Sequence, residues 1–315
     1  MANSDVACCI IIPSHVSLRT NVDYFDKCLD SLAKQTITIP IYLSISFDNN
    51  DLKIKFNATI KKCNMVNVTI RENKASQISH IKQAFNEIKH KYDWYLFCDD
   101  DDTYNQNRVE VFVLAIQALV NHQKENPTKI CAGAHEDINQ ESHSTKRVEY
   151  WQYVVNKNIL DKFFDGLKNY NNIIDHKFCD IVFVEFLRRL DDSYLFCIIP
   201  GAYYNYNINN HSITGQIQIN KHALLNDINE TTDLTSVIKL FNDDIDKKMD
   251  GIYNNIFYST VSGHNLEYGL KRSFEIKLHP LLKFIDQNKI NKLKKYHNSI
   301  KLACQQIYQT GFVDN

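Results

Sequence analysis

The sequence predicts an α/β fold, a mainly parallel sheet flanked by helices, with a helical extension at the C-terminal end. Short apolar runs of strand length alternate with stretches whose apolar residues recur every three or four positions. This alternation fills the first two-thirds of the 315 residues. One apolar run passes straight into four consecutive aspartates, Asp99–Asp102. That puts charge at the carboxyl end of a strand, the edge where open α/β sheets bind ligands. The texture then changes after about residue 232: residues 225–250 carry seven acids against three lysines, and residues 271–301 carry nine Lys/Arg against two acids.

The elements follow in order. Val6–Ile12 is a buried strand ending at Pro13. Asn21 is a candidate N-cap for a helix over Val22–Gln35, whose Phe25, Cys28, Leu29 and Leu32 share one face. Ile41–Phe47 alternates as a second strand and Val66–Ile70 is a third. A helix capped near Ser76 turns Ile78, Ile81, Phe85 and Ile88 inward. Trp94–Cys98 is the fourth strand, Arg108–Asn121 the next helix and Lys129–Gly133 the next strand. From Pro280 an apolar stripe runs through Leu282, Ile285, Leu293, Tyr296, Ile300, Ala303 and Ile307. We divide the chain into a catalytic-type domain, 1–231, and a helical extension, 232–315.

Composition bounds the function. At 44% hydrophobic, 23% charged and net charge −1, the chain has core-forming material and no global field directed at nucleic acid. Its apolar runs fall short of the roughly 18–20 residues that cross a bilayer. The N-terminal MANSDVACCIIIPSH lacks a basic leader region and reads as a strand, so a cytoplasmic location, soluble or peripheral, is expected. The nine cysteines are an odd number without a CxxC pair; they suit buried thiols of a reducing compartment better than a disulfide framework or a zinc cluster. GxGxxG, GxxxxGK[ST] and GxSxG are all absent, which removes the main signals of dinucleotide oxidoreductases, Walker-type NTPases and serine hydrolases.

Chemistry concentrates at WYLFCDDDDTY (Trp94–Tyr104). Four adjacent carboxylates repel one another, and a hard divalent cation, Mn²⁺ or Mg²⁺, neutralises such a set and completes its shell with substrate phosphates. The alternative is a solvated acidic turn that caps the following helix. An EF-hand fails: Tyr104 stands where its loop needs Gly, and a strand replaces the entering helix.

The order IIIPSH, CLDSLAKQT, ISFDNND, LFCDDDDTY resembles the family 2 glycosyltransferases of the GT-A fold. The likeness continues through the stretch around Asp180 to YNYNINNHSIT (Tyr204–Thr214), covering roughly residues 5–215. It implies a GT-A-like (Rossmann-like) fold and transfer of a sugar from a nucleotide-diphosphate donor, UDP-linked, to an acceptor hydroxyl of a glycan, lipid or protein, with inversion. It further implies that Pro13, His15 and Asp48 lie at the nucleobase. Asp99 and Asp100 would lie on the donor side, Asp101 and Asp102 at the metal of a DxD-type motif, and Asp180 would be the general base. His211 is an additional candidate metal or diphosphate contact.

Departures mark where this chain is its own case. Ala75 stands where Gly is usual, His80–Ile81 where an Arg-Asn pair is usual, and Asn207 where Arg is frequent. Asp175 rivals Asp180 as the base. His135, Glu136, Asp137 and His143 have the composition of a metal cluster but read as a polar loop after a strand.

The basic C-terminal helix needs a partner for its apolar stripe. The catalytic domain or a sister subunit comes first, an anionic membrane surface second, and nucleic acid a distant third for want of an aromatic platform. Two other functions fit the acidic turn, a sugar-1-phosphate nucleotidyltransferase and a non-catalytic nucleotide-sugar-binding protein.

Overall fold

The computed structural model describes residues 6–60, 66–137, 148–207 and 233–308. The chain divides into two compact units, Met1–Asn207 and Ile208–Asn315. The expected boundary at 231 falls in a segment outside the described residues.

The first unit alternates strand and helix as the patterning predicts: β1 (Cys8–Val16), α1 (Arg19–Ala33), β2 (Ile41–Phe47), α2 (Asn50–Ile60), β3 (Val66–Arg71), α3 (Gln77–Ile88), β4 (Trp94–Phe97), β5 (Thr103–Tyr104), α4 (Arg108–Glu125), β6 (Ile130–Asp137), β7 (Tyr153–Asn156), α5 (Lys157–Leu167), α6 (Asn171–Ile174), α7 (Cys179–Arg188), β8 (Tyr194–Pro200) and β9 (Tyr204–Asn205). Seven strands form one sheet in the order β3-β2-β1-β4-β7-β6-β8, and β5 and β9 form a separate pair. All neighbours in the large sheet run parallel except β7, which is antiparallel to β4 and β6. This is the mainly parallel, helix-flanked GT-A-like sheet. Its core is aromatic, with Phe25, Phe56, Phe85, Phe97, Phe163 and Phe183 almost wholly buried.

Four expectations change. β1 runs through Pro13 to Val16. The Ile10 N–H and the Val16 carbonyl both bond toward the β2 side, so in a parallel ladder the even residues face β2 and the odd ones face β4. The β4 ladder ends at Ile11↔Phe97; Pro13 therefore lacks its N–H where no acceptor strand remains. Helix α1 starts at Arg19, and Asn21 sits at its third position, where its Oδ1 accepts the Leu18 N–H at 2.8 Å. Helix α2 was not expected, because only Leu52, Phe56 and Thr59 are buried on it. Strand β6 continues to Asp137, so His135, Glu136 and Asp137 lie on a strand and not in a polar loop; His143 lies outside the described residues.

The second unit comprises α8 (Leu234–Val261), α9 (Leu266–Ser273), a 3₁₀ segment Ile276–Phe284 and α10 (Gln287–Tyr308). Asp233 caps α8, its carboxylate accepting the Ser236 N–H at 3.0 Å. Phe241, Ile245, Ile252, Ile256, Leu270, Phe274 and Leu293 form its core. The apolar stripe of α10 packs on α8 within this unit: Thr260 Oγ1 meets His297 Nδ1 at 2.7 Å, and Lys289 Nζ reaches Asp246 at 2.8 Å. Leu282, Ile285, Leu293 and Tyr296 of the stripe thus belong to the core of their own unit. Among the described residues no helix is long and apolar enough to cross a membrane.

Candidate active site

Strands β1, β2 and β4 are parallel neighbours, so their carboxyl ends lie along one sheet edge. Each end carries an expected site residue. Pro13 pairs in register with Ser44, and His15 with Ser46. Asp48 follows β2 directly, its N–H bonding the Val16 carbonyl at 3.1 Å and prolonging the ladder by one residue. His15 Nε2 then lies 2.8 Å from Asp48 Oδ1, and His15 Nδ1 lies 2.8 Å from Ser46 Oγ. Burial pushes the His15 pKa below its ordinary value and nearby Lys74 adds to this, against the opposing pull of Asp48.

Beyond β4 the four aspartates form a tight turn, closed by the Asp102 N–H bonding the Asp99 carbonyl at 3.3 Å. Four segments distant in sequence hold it. Ser14 of β1 donates its hydroxyl to the Asp100 carboxylate. Gln77, in the first turn of α3, donates to Asp99 Oδ1 at 2.6 Å, and the Tyr150 hydroxyl donates to the same oxygen. Tyr204 of β9 takes both ends of the turn: its hydroxyl accepts the Asp99 N–H at 2.9 Å and donates to Asp102 Oδ2 at 2.7 Å. The Asn207 N–H fills Asp102 Oδ1 at 2.7 Å, and Asp102 is fully buried.

The charge of this turn is under strain. Burial, then the neighbouring carboxylates, raise Asp99 well above the carboxylate range. Burial raises Asp100 and Asp102 to about 7, with Asp101 adding to both. Among the described residues, the hydrogen bonds to Asp99, Asp100 and Asp102 come from Ser, Gln, Tyr and backbone groups, none of them cationic. An oxygen-rich set that resists its own ionisation fits a hard divalent cation. Among the described residues no three His, Cys, Asp or Glu side chains already form a cage. A cation here would draw much of its shell from a ligand's phosphates and from water.

Behind the turn stands a second support. Arg108 and Glu136 are fully buried and pair at 2.5 Å. Arg108 Nη2 donates to the Trp151 carbonyl at 2.7 Å, and the Tyr203 N–H donates to Glu136 Oε2 at 2.9 Å. Trp151 stacks on Tyr204 with ring centres 4.1 Å apart and on Tyr206 at 5.6 Å. Glu136 therefore braces the β9 segment.

Asp180 is half-buried in the first turn of α7, and its charge helps raise the Tyr150 pKa, which puts it within electrostatic reach of the Tyr150–Asp99 pair. Asp175 is exposed and accepts a bond from Ser79 Oγ at 3.2 Å. His211 lies outside the described residues. Sequence reasoning passed over Gln77, Tyr150, Trp151 and Arg108, which no motif marks; Tyr204 opened a motif but carried no assigned role.

Residues 9–191 match the model of glycosyl transferase family 2. The chain belongs to this family. No curated relative matches the sequence. Among solved structures the glycosyltransferase is similar to S. aureus TarS, with 13% identity, a TM-score of 0.45 and coverage of 95% of this chain but 55% of that one. It is similar also to S. aureus TarS 1–349 in complex with UDP-GlcNAc, at 13% identity and TM-score 0.43, over 96% of this chain and 92% of that one. A third is the 4-diphosphocytidyl-2C-methyl-D-erythritol synthase of Anaerococcus prevotii, at 12% identity and TM-score 0.43, over 69% of this chain and 97% of that one.

Proposed function

We propose that this glycosyltransferase moves a hexosyl or N-acetylhexosaminyl unit from a UDP-linked donor to an acceptor hydroxyl of a glycan, lipid or protein, with a divalent metal and with inversion. The observation that carries the reading is the sheet edge itself, where the His15–Asp48 pair and the four-aspartate turn occupy the ends of three adjacent parallel strands. Asp48 takes the His15 N–H on one oxygen, and its other oxygen suits a base edge that presents an N–H. The imide of uracil offers one; cytosine offers a lone pair at that position.

Asp101 is the first-choice metal ligand in the turn. Both oxygens of Asp102 already accept a hydrogen bond, from Tyr204 and from the Asn207 N–H, and its side chain is fully buried, so it comes second. The bound metal would stabilise the charge that develops on the departing diphosphate. Asp180 is assigned the acceptor proton, since attack requires the hydroxyl to lose it as the new bond forms.

The test is thermal stabilisation by UDP, CDP, GDP and dTDP, each with and without Mn²⁺, on wild type and Asp101→Asn. A Mn²⁺-dependent shift with UDP, lost in the variant, supports the proposal. No shift with any of the four leaves the aspartates as a structural turn.

A further inference from the structure

The His15–Asp48 pair continues inward as an unbroken chain of hydrogen bonds. Asp48 Oδ1 lies 2.8 Å from His15 Nε2, His15 Nδ1 lies 2.8 Å from Ser46 Oγ, Ser46 Oγ lies 3.1 Å from His80 Nε2, and His80 Nδ1 lies 2.9 Å from Ser44 Oγ. Ser44 and Ser46 are wholly buried and His80 is 1% exposed. The geometry follows from the fold. Ser44 and Ser46 project from alternate positions of β2 onto the sheet face that α3 covers, and His80 of α3 spans them.

The chemistry of each group allows one direction through this chain while both rings are neutral. A carboxylate only accepts, so His15 carries its hydrogen on Nε2 and leaves a lone pair on Nδ1. The Ser46 hydroxyl must donate to that lone pair. Its single hydrogen is then spent, so Ser46 accepts from His80 Nε2–H. His80 Nδ1 is left to accept the Ser44 hydroxyl. The opposite direction needs a second proton on His15, which burial and Lys74, ahead of α3, oppose. Burial, Arg71 of β3 and His15 hold His80 down to about 4, in the neutral state that the one-way chain requires.

We propose that His80, which touches no ligand-facing surface, is a positioning residue for donor binding: by donating to Ser46 it commits the Ser46 hydrogen to His15 Nδ1, which holds the ring in the tautomer that Asp48 selects and thereby holds the Asp48 carboxylate in place. The inference rests on the reading that Asp48 meets the nucleobase. It gives a reason for a histidine at position 80, one of the places where the chain departs from the family pattern.

The experiment has two arms on the full-length protein. In the first, histidine ¹⁵N NMR of the wild type reads the tautomers directly; both His15 and His80 are expected as neutral Nε2–H rings, and either ring carrying its hydrogen on Nδ1 overturns the proposal, His80 because it could then not donate to Ser46. In the second, the dissociation constant for UDP with Mg²⁺ is measured for wild type, His80→Leu, His80→Gln and Ser46→Ala. His80→Leu and Ser46→Ala are expected to weaken UDP about tenfold or more, the scale of a lost hydrogen bond feeding a charged group. His80→Gln, whose side-chain amide still donates to Ser46, is expected to stay within about threefold of wild type. In turnover the losses should fall on the donor KM with kcat held.

Ser46→Ala carries the test if His80→Leu does not fold. A wild type that binds no nucleoside diphosphate removes the nucleotide reading and this proposal with it. A wild type that binds UDP beside a folded His80→Leu or Ser46→Ala of equal affinity overturns this proposal alone.

Discussion

Arg108 and Glu136 support a sharp prediction, because each is fully buried and each is tied to the segment that closes the aspartate turn. Three rings enclose the guanidinium, with its carbon 4.0 Å from the centre of Tyr104, 4.7 Å from Phe112 and 5.0 Å from Tyr204. Arg108→Met leaves the Glu136 carboxylate buried with, among the described residues, the Tyr203 N–H for support. Glu136→Gln leaves the cation buried without its counter-charge. Either single change is expected to cost about 3–5 kcal/mol, the usual penalty for stranding one member of a buried pair.

The double variant strands neither charge. Its introduced side-chain amide keeps an oxygen for the Tyr203 N–H, so what remains is the lost donor to the Trp151 carbonyl and some packing, about 1–3 kcal/mol. The two costs therefore should not add; the double variant is expected to be no worse than either single one, a coupling of several kcal/mol. Urea unfolding followed by tryptophan fluorescence reads this cleanly, since both tryptophans of the chain, Trp94 and Trp151, lie in the first unit. Costs that sum would show that burial of the pair does not control the stability of this region.

Three shorter predictions follow. Burial raises Asp102 in the folded state to about 7, above the ordinary carboxylate range, so between the two the folded state holds its proton and the unfolded state does not. Stability from this group is full below about 4 and falls as pH rises toward 7, by at most roughly 1.4 kcal/mol per pH unit; urea titrations of wild type and Asp102→Asn should differ by this slope, and parallel pH profiles would refute it. Asp180→Asn is expected to lower kcat by roughly 10²–10⁴ while leaving UDP affinity unchanged; a full rate in the variant would move the base to Asp175 or elsewhere. Gly133→Ala would set a Cβ 2.1 Å from the Val154 carbonyl oxygen of the neighbouring strand, and the strands must part at a cost of about 1–3 kcal/mol. An unchanged urea midpoint would show that β6 and β7 have slack there.

The fold was legible wherever periodicity was strong. Ile41–Phe47 appears with the predicted bounds, and Ser76 caps α3 as expected, its hydroxyl accepting the Ser79 N–H at 3.1 Å. Helix α2 escaped because a helix that buries only three side chains writes a faint pattern. Strand β6 was cut short for a different reason. His135, Glu136 and Asp137 look like loop residues until Arg108, 28 positions away, supplies the partner that lets Glu136 be buried.

The site divides along the same line. Asp99–Asp102 stand out because charge at the end of an apolar strand is a local signal, and Asp48 was reached through the family resemblance. Tyr150, Gln77 and Tyr204 are ordinary residues in ordinary contexts, and only the sheet order brings them to the turn.

The double grip of Tyr204 has a consequence for the order in which the molecule is made. The three strands whose ends carry Pro13, His15, Asp48 and the four aspartates are synthesised by Phe97, yet the hydroxyl that ties Asp99 to Asp102 arrives 105 residues after Asp99. A nascent chain emerging from the ribosome can lay down β1, β2, β3 and β4 while its four carboxylates stay hydrated and mutually repelled. Ser14, Gln77 and Tyr150 can grip Asp99 and Asp100 earlier, but Asp102 gains its donors only when β9 pairs with β5, at the far end of the first unit. Shortening the chain at residue 200 should thus leave Ser14, Gln77 and Tyr150 on Asp99 and Asp100 while Asp102 loses both of its donors and turns to water.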